Sequence, residues 1–232
     1  MKDEYYEATE EKKPQMIDLG LPSGTIWASC NIGASQPWEY GGYYAWGETE
    51  EKDVYNDVTY QYFEGENADG DGNYDKHVEC EVLSENISGT EYDVAHVKSG
   101  DGWQMPTREQ FMELLDNCSS EWIELHAVKG LKFIGPNGNS IFLPAGGCRE
   151  NSNLKCLGDY GYYWSSMLPQ KERFNAHNLV FCADYAYWYG FVGRNIGHSV
   201  RPVKNLIHEI DTIGGCYLVF SSSLNSVIPI LS

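Results

Sequence analysis

The sequence predicts an α+β fold made of many short β-strands and few helices. A single segment shows a helical period of apolar residues, whereas several short apolar segments are separated by turns rich in Asn and Gly. One helix against many strands favours an α+β arrangement over an α/β one. The chain has 232 residues, of which 42% are hydrophobic and 14% aromatic. It is therefore long enough to bury a sizeable core and still expose aromatic rings.

The N-terminal part contains a predicted tail, a hairpin and a long polar stretch. Residues 1–15 are acidic, carry lysines and include Pro14, which predicts a frayed tail. Residues 17–28 predict two short strands around the turn Pro22-Ser23-Gly24. Residues 48–92 are acidic and lack periodicity, so we expect a long surface excursion that is either functional or locally folded.

The predicted helix begins after Thr107. This threonine can cap the helix N-terminus, and Gln110 three residues later completes a capping box. Apolar residues then recur at i, i+3, i+4 and i+7, which predicts one buried stripe along the helix. The stripe consists of Phe111, Leu114, Leu115 and Cys118.

Four further strands are predicted in the C-terminal half, at residues 140–145, 161–166, 177–182 and 198–203. We expect the large apolar rings of Trp103 and Trp164 to fill the core beside the helix. Arg201, next to Pro202, is expected to be structural and to close the last strand against a carboxylate or carbonyl groups.

The charge of the chain bears on its partners. The formal net charge is −18, and such a field repels nucleic-acid phosphates and anionic membranes. No apolar run approaches the roughly 20 residues that span a bilayer, so we expect neither nucleic-acid binding nor membrane insertion. The first residues contain no apolar stretch, so no secretion signal is predicted in this chain.

Seven cysteines are scattered along the chain without a C-x-x-C pair, at positions Cys30, Cys80, Cys118, Cys148, Cys156, Cys182 and Cys216. Their odd number and wide spacing argue against a zinc ribbon and against a thioredoxin-like motif. We expect them to be mostly reduced, buried thiols.

Residues 69–75 resemble half of a calcium loop, because oxygen-bearing side chains alternate there. The sixth position is Tyr74 rather than Gly and the twelfth is Cys80 rather than Glu, so an acidic turn is favoured over a metal site. The chain has no nucleophile-elbow, zinc-protease or phosphate-loop motif. We therefore predict no catalytic centre and no cofactor.

Residues 182–198 mix Tyr, Gly, Asn and Arg, the composition of adaptable binding loops. If they form a strand, alternation places one set of aromatic rings on one face and Trp188 on the other. The first set consists of Tyr185, Tyr187, Tyr189 and Phe191. The alternative is a β-hairpin whose rings pack on the core.

Several ordered segments resemble one known family. Residues 19–34, 44–49, 93–97, 102–107, 141–147, 161–166 and 199–203 are similar to motifs of the Fibrobacter succinogenes major paralogous domain, which is common in Bacteroides-type bacteria and their bacteriophages. The resemblance covers about residues 16–203. It implies a C-type lectin-like fold, related to the formylglycine-generating (sulfatase-modifying) enzymes, and a location at a cell or virion surface.

Three departures from the related proteins bear on activity. The sulfatase-modifying enzymes have a cysteine pair near the C-terminal strand, whereas residues 199–203 contain no cysteine. Gln104 stands where those enzymes have an arginine. The calcium-binding motifs of sugar-binding lectins are also missing. The resemblance therefore implies a fold without the oxidase activity and without the sugar site, since fold does not imply function.

Some members of this family are variable proteins of diversity-generating retroelements, in which a reverse transcriptase mutates adenines of a C-terminal repeat. The resemblance implies a display protein whose diversified region, near residues 154–198, binds a protein or glycan on another cell or particle. The candidate positions are Tyr185, Tyr187, Tyr189, Phe191, Asn195, Ile196 and His198, with Leu154, Cys156 and Leu157 as a weaker second set. The alternative is a non-variable surface domain with an adhesive or structural role.

Residues 204–232 extend beyond the point where this family usually ends. Residues 213–220 and 227–231 are apolar enough to need burial. We expect them to add an edge strand or to form a homo-oligomer contact.

Overall fold

The computed structural model describes residues 14–64, 79–80, 83–170, 173–205, 210–213 and 216–219. For residues 64, 79–80, 190–191, 210–213 and 216–219 it describes the backbone alone. Residues 1–13 of the tail predicted at residues 1–15, and the acidic turn at residues 69–75, lie outside the described residues. The end of the predicted tail is held in place, because the Ser29 N–H donates to the Gln15 carbonyl at 2.9 Å.

The described part of the chain is rich in strands and poor in helices, which confirms the α+β prediction at that level. Its helices are α1 (Val94–Ser99), α2 (Arg108–Asn117) and a 3-10 turn (Asp57–Thr59). The strands before and beside them are β1 (Met16–Asp18), β2 (Thr25–Ala28), β3 (Phe63–Glu64), β4 (Glu79–Cys80), β5 (Ser119–Leu125), β6 (Val128–Ile134) and β7 (Ser140–Pro144). The later strands are β8 (Cys148–Glu150), β9 (Asn153–Lys155), β10 (Gly161–Trp164), β11 (Asn175–Phe181), β12 (Ala186–Gly193), β13 (Val203–Asn205), β14 (Ile210–Ile213) and β15 (Cys216–Val219).

All pairs between the strands of the described part are antiparallel. Three sheets have three strands each, in the orders β1-β2-β13, β5-β6-β7 and β10-β11-β12. The pairs β3-β4, β8-β9 and β14-β15 form two-stranded ribbons. The predicted role of the C-terminal extension in an oligomer stays a prediction, since within the described backbone β14 and β15 pair only with each other.

The predicted hairpin at residues 17–28 is confirmed. Gly24 lies in the left-handed region, with a φ of 72°, and donates a backbone hydrogen bond to the Leu21 carbonyl at 2.9 Å. Glycine favours this conformation because it has no Cβ. Trp27 in β2 faces Ile17 in β1 and Val203 in β13, so the hairpin becomes part of a sheet that the chain completes almost two hundred residues later.

Helix α2 confirms the predicted cap. The Thr107 hydroxyl accepts from the Gln110 backbone N–H, and the Gln110 side chain accepts from the Thr107 N–H. Phe111 and Leu114 are fully buried, and the ring of Phe111 lies 5.7 Å from that of Trp27. Leu115 and Cys118 pack against the same core, Cys118 as the C-cap residue.

The prediction that Trp103 and Trp164 lie beside this helix is wrong, although both are buried. Trp103 packs with Ile26 and Ala28, and Trp164 belongs to a second cluster around Trp46. The reason is the two-residue period of a strand: in β10 it is Tyr163, not Trp164, that joins the core shared with the helix.

Arg201 confirms the prediction of a structural arginine that closes the chain against carbonyl groups. It is fully buried and donates from its three nitrogens to Asn31 Oδ1, the Ala28 carbonyl and the Phe142 carbonyl, at 2.9, 3.0 and 2.9 Å. Burial lowers the pKa of the guanidinium below its usual value. The side chain thereby joins β2, β7 and the segment before β13.

The strand predicted at residues 198–203 is wrong in extent. His198 and Ser199 make isolated bridges to Tyr44 and Tyr163, and the continuous strand begins only at Val203. Pro202 cannot donate to a ladder, which favours a break at that point. The strand continues to Asn205, so the first two residues of the predicted extension belong to the sheet β1-β2-β13.

The polar stretch from residue 48 is locally folded where it is described. Asn56 caps the 3-10 turn, and the rings of Tyr55 and Tyr60 are buried. Among the described residues, no helix is both long and apolar enough to cross a membrane.

Candidate functional site

Strand β11 is the buried strand that pairs with β12, the strand of the candidate site. It is the middle strand of its sheet and is buried along almost its whole length. Leu179 and Phe181 belong to the core that also contains Phe111 and Leu114 of α2. On its outer side β11 pairs with β12, with Leu179 opposite Trp188 and Val180 opposite Tyr187. A rigid, buried strand thus fixes the position of β12.

Three tyrosines, Tyr185, Tyr187 and Tyr189, form a row that we call the tyrosine stripe. Their side chains are 43%, 42% and 43% exposed. The ring of Tyr187 lies 5.2 Å from that of Tyr185 and 6.1 Å from that of Tyr189. Among the described residues, the one other exposed aromatic side chain is Trp188. Every exposed aromatic ring described therefore falls within five consecutive positions.

Trp188 lies on the opposite face from the stripe, as predicted from strand alternation. Its ring makes an edge contact with His177 at 5.5 Å, and the guanidinium of Arg108 lies 5.3 Å from its centre. Burial and the nearby Arg108 charge lower the pKa of His177, so this imidazole is neutral near pH 7. Trp188 thus connects β12 to the beginning of α2.

The stripe continues onto two tyrosines at the start of β10. The side chains of Tyr185 and Tyr160 are hydrogen-bonded, and this hydrogen bond is the main reason why the pKa of Tyr185 is raised. Tyr160 stacks on Tyr162 at 5.9 Å. Burial raises the pKa of Tyr162, and its side chain is hydrogen-bonded to Cys156. The surface is therefore a connected array of phenol rings.

The weaker second set of predicted positions adjoins this array. Leu154, Cys156 and Leu157 are all exposed, on and just after β9. Cys156 contacts Tyr162, which links the ribbon β8-β9 to the stripe through Tyr160. The structure thus connects four of the ten predicted positions, Tyr185, Tyr187, Tyr189 and Cys156, and leaves Leu154 and Leu157 exposed close to Cys156 in the chain. Phe191 lies within β12, but its side chain is outside the described part.

Asn195, Ile196 and His198 do not lie on this surface, contrary to the expectation that residues 182–198 form one binding loop. Asn195 is buried and donates to Asp57 Oδ1 at 2.6 Å. Ile196 packs against the second core cluster. His198 is sandwiched between Trp164 at 4.1 Å and Tyr162 at 5.2 Å, and burial lowers its pKa to about 3. The chain returns to the core directly after β12.

The thiols near the site are unpaired. Cys30, Cys118, Cys148, Cys156 and Cys182, whose side chains are described, are free cysteines. Of these thiols Cys30 and Cys182 are buried as expected, whereas Cys118 and Cys148 are partly exposed and Cys156 is exposed. Burial raises the pKa of Cys148 to about 11, which keeps this thiol protonated and weakly nucleophilic. Within the described residues, no group of three or more His, Cys, Asp and Glu side chains could hold a metal ion.

Tyr160 and Tyr162 were not predicted as part of the site. The signal that could have found them is the run Asp159-Tyr160-Gly161-Tyr162-Tyr163-Trp164, in which alternate positions of a strand must face opposite sides. No family profile, curated protein or solved structure matches the chain. The function of this surface therefore has to be argued from its own chemistry.

Proposed function

We propose that this protein is a ligand-binding display protein. In this proposal a C-type lectin-like scaffold of the Fibrobacter paralogous family presents the tyrosine stripe and its neighbours, as a surface diversified by a retroelement, to a protein or glycan target. The observation that carries the proposal is the confinement of the exposed aromatic rings of the described chain to residues 185–189. The proposed location is a cell or virion surface, and no catalytic step is involved.

The chemistry of tyrosine supports a binding role. A tyrosine ring offers a large contact area at low conformational cost, and its hydroxyl group can hydrogen-bond to many ligands. Such rings are common among the residues that contribute most to binding. Exposed aromatic groups that are clustered rather than scattered are typical of an interaction site.

The support of the stripe suits a surface that changes. On the face of β11 away from the stripe, Leu179 and Phe181 pack in the core that contains helix α2, whereas Asn178 and Val180, opposite the stripe, are buried on the other face. Substitutions in the stripe consequently leave the main core unchanged. Surface substitutions away from core contacts usually change stability by less than about 0.5 kcal/mol, although each stripe ring also touches its neighbour.

A second function, a fixed adhesive surface, is favoured by one observation. Tyr185, Tyr160, Tyr162 and Cys156 are connected by hydrogen bonds and stacking. A connected array of this kind depends on the identity of each member, which suits a surface that stays constant. Both functions use the same face, and they differ in whether the coding region varies.

Sequencing the coding region and its flanking DNA across a natural population tests this difference. If the surface is diversified, substitutions concentrate in codons 154–157 and 185–189, at adenines matched by a nearby template repeat. Buried codons 176–181 of β11 serve as the internal control and stay constant. Sparse substitution spread evenly over both sets, with no repeat and no reverse transcriptase gene nearby, would contradict the diversified surface and favour the fixed one.

A further inference from the structure

Strand β12 forms the edge of its sheet. It pairs with β11 on one side, and in the described part of the chain no strand pairs with its other side. An edge strand presents a row of backbone N–H and C=O groups that can pair with another chain. With eight residues, β12 offers an edge of roughly 26 Å at about 3.3 Å per residue.

The sequence of this edge lacks the charges and the proline that usually protect an edge strand from pairing. Its residues, Ala-Tyr-Trp-Tyr-Gly-Phe-Val-Gly, include no charge and no proline. Natural edge strands are normally short, or carry lysine, other charges or proline. A long uncharged edge rich in aromatic residues is therefore expected to have a partner.

The other edge strands of the three-stranded sheets show the contrast. Those in the first two sheets carry charges or a terminal proline: Asp18 in β1, Lys204 in β13, Glu121 and Glu124 in β5, and Pro144 in β7. The uncharged edge strand β10 is covered, because Gly161 bridges to Gly147 and Tyr163 bridges to Ser199. Among these described edges, β12 combines an uncharged sequence with a side to which no described strand pairs.

We propose that β12 binds an extended, basic segment of a partner protein by strand addition. The segment would pair with the outer edge of β12, and its alternate side chains would lie across the tyrosine stripe. This inference rests on the proposed function, because it names how the ligand of that surface docks. In strand addition the main-chain hydrogen bonds supply affinity and alternate side chains supply specificity.

Charge identifies the occupant. The chain carries a formal net charge of −18, and Asp184 is exposed at the start of the stripe. A second copy of the chain would bring the same charge and be repelled, whereas a segment with Lys or Arg at alternate positions is attracted. Such cations also stack on tyrosine faces, as Arg108 already does on Trp188 across the strand.

Strand addition is compatible with a surface that varies. The backbone groups of an edge are the same whatever side chains the strand carries. A change in the stripe would therefore alter which segment binds without removing the mode of binding. In this mode of binding the backbone edge of β12 stays constant, and only the side chains of the stripe vary.

The test uses the full chain and a displayed library of linear peptides of about ten residues, long enough to cover β12. One half of the library has Lys or Arg at alternate positions, and the matched half has Asp or Glu. Selected peptides are synthesised again with a single N-methyl group at each position in turn. The stripe variant Tyr185→Ser, Tyr187→Ser, Tyr189→Ser is compared with the control Val58→Ser, Val97→Ser, which removes exposed apolar groups elsewhere.

We expect basic peptides to be selected and to bind the control variant normally and the stripe variant more weakly. A single N-methyl group should lower the affinity about tenfold at every second position of the peptide, where it removes one interfacial hydrogen bond. At the alternate positions, whose N–H groups point away from β12, it should leave the affinity unchanged. Backbone amides of β12 should gain protection from hydrogen exchange when the peptide binds.

Each other outcome overturns the inference. Peptides that need the stripe but tolerate N-methylation everywhere would overturn strand addition and leave the proposed function standing. Peptides whose affinity changes neither in the stripe variant nor on N-methylation would contradict both strand addition and the proposed function. Selection of acidic peptides, or of none, would overturn the basic segment. A concentration-dependent dimer that Tyr187→Lys abolishes would assign the edge to a second copy of the chain.

Discussion

Arg201 is a buried charge whose replacement should unfold much of the scaffold. Methionine keeps most of the side-chain volume but leaves Asn31 Oδ1, the Ala28 carbonyl and the Phe142 carbonyl without their donor. Each buried acceptor left unsatisfied costs about 1–3 kcal/mol, and part of this is offset because the charge no longer has to be buried. We expect Arg201→Met to lower the free energy of unfolding by about 3–5 kcal/mol.

Equilibrium urea unfolding followed by circular dichroism measures this loss. Arg108→Met is the matched control, because Arg108 is partly exposed. Its ion pair with Glu109 contributes about 0–1 kcal/mol and its contact with the Trp188 ring about 0.5–1 kcal/mol. Arg201→Lys keeps the charge but not the planar fork of donors, so it should fall between the wild type and Arg201→Met. A loss below about 1 kcal/mol for Arg201→Met would refute the reasoning from unsatisfied acceptors.

Three further predictions concern single contacts. Since burial lowers the pKa of His198 to about 3, below its ordinary 6.5, the unfolded chain binds the extra proton first. The contribution of His198 to the free energy of unfolding should therefore be full above about pH 6.5 and be lost as the pH falls towards 3. The free energy of unfolding of the wild type, measured by urea titration at several pH values, should fall more steeply over this range than that of His198→Phe. An equal dependence on pH in the two proteins would exclude this. Thr107→Ala should cost about 1 kcal/mol of unfolding free energy through loss of the α2 cap, and Thr107→Ser much less; thermal melts of both variants check the order. A Cβ at Gly161 would overlap the ring of Phe181, so Gly161→Ala should destabilise by about 1–3 kcal/mol, and an unchanged urea midpoint would contradict this overlap.

Features set by neighbouring residues could be predicted from the sequence. The hairpin at residues 17–28 depends on a turn with Gly24, and the start of α2 depends on the pair Thr107 and Gln110. In both cases the determining contacts lie within a few residues. The structural role of Arg201 could be predicted, because a buried guanidinium needs oxygen acceptors. Its three acceptors could not, because they lie in distant segments of the chain.

Features set by distant contacts could not be predicted. Strands β5 and β6 form a seven-residue hairpin, yet most of β5 is exposed, so its sequence lacks a clear apolar alternation. The side of the core to which Trp164 belongs depends on the register between β10 and β11. The burial of His198 depends on Trp164 and Tyr162, and the amino-acid composition of its segment gives no sign of it.

Buried strand β11 divides the exposed positions into two short windows along the gene. One window holds codons 154, 156 and 157, and the other holds codons 185, 187 and 189, with the core codons 176–181 between them. An engineer who randomises the span as one block would spend most of the library on unfolded chains. Randomising these six codons alone, with the intervening strand kept constant, would instead give a compact binding scaffold whose folding is decoupled from its specificity.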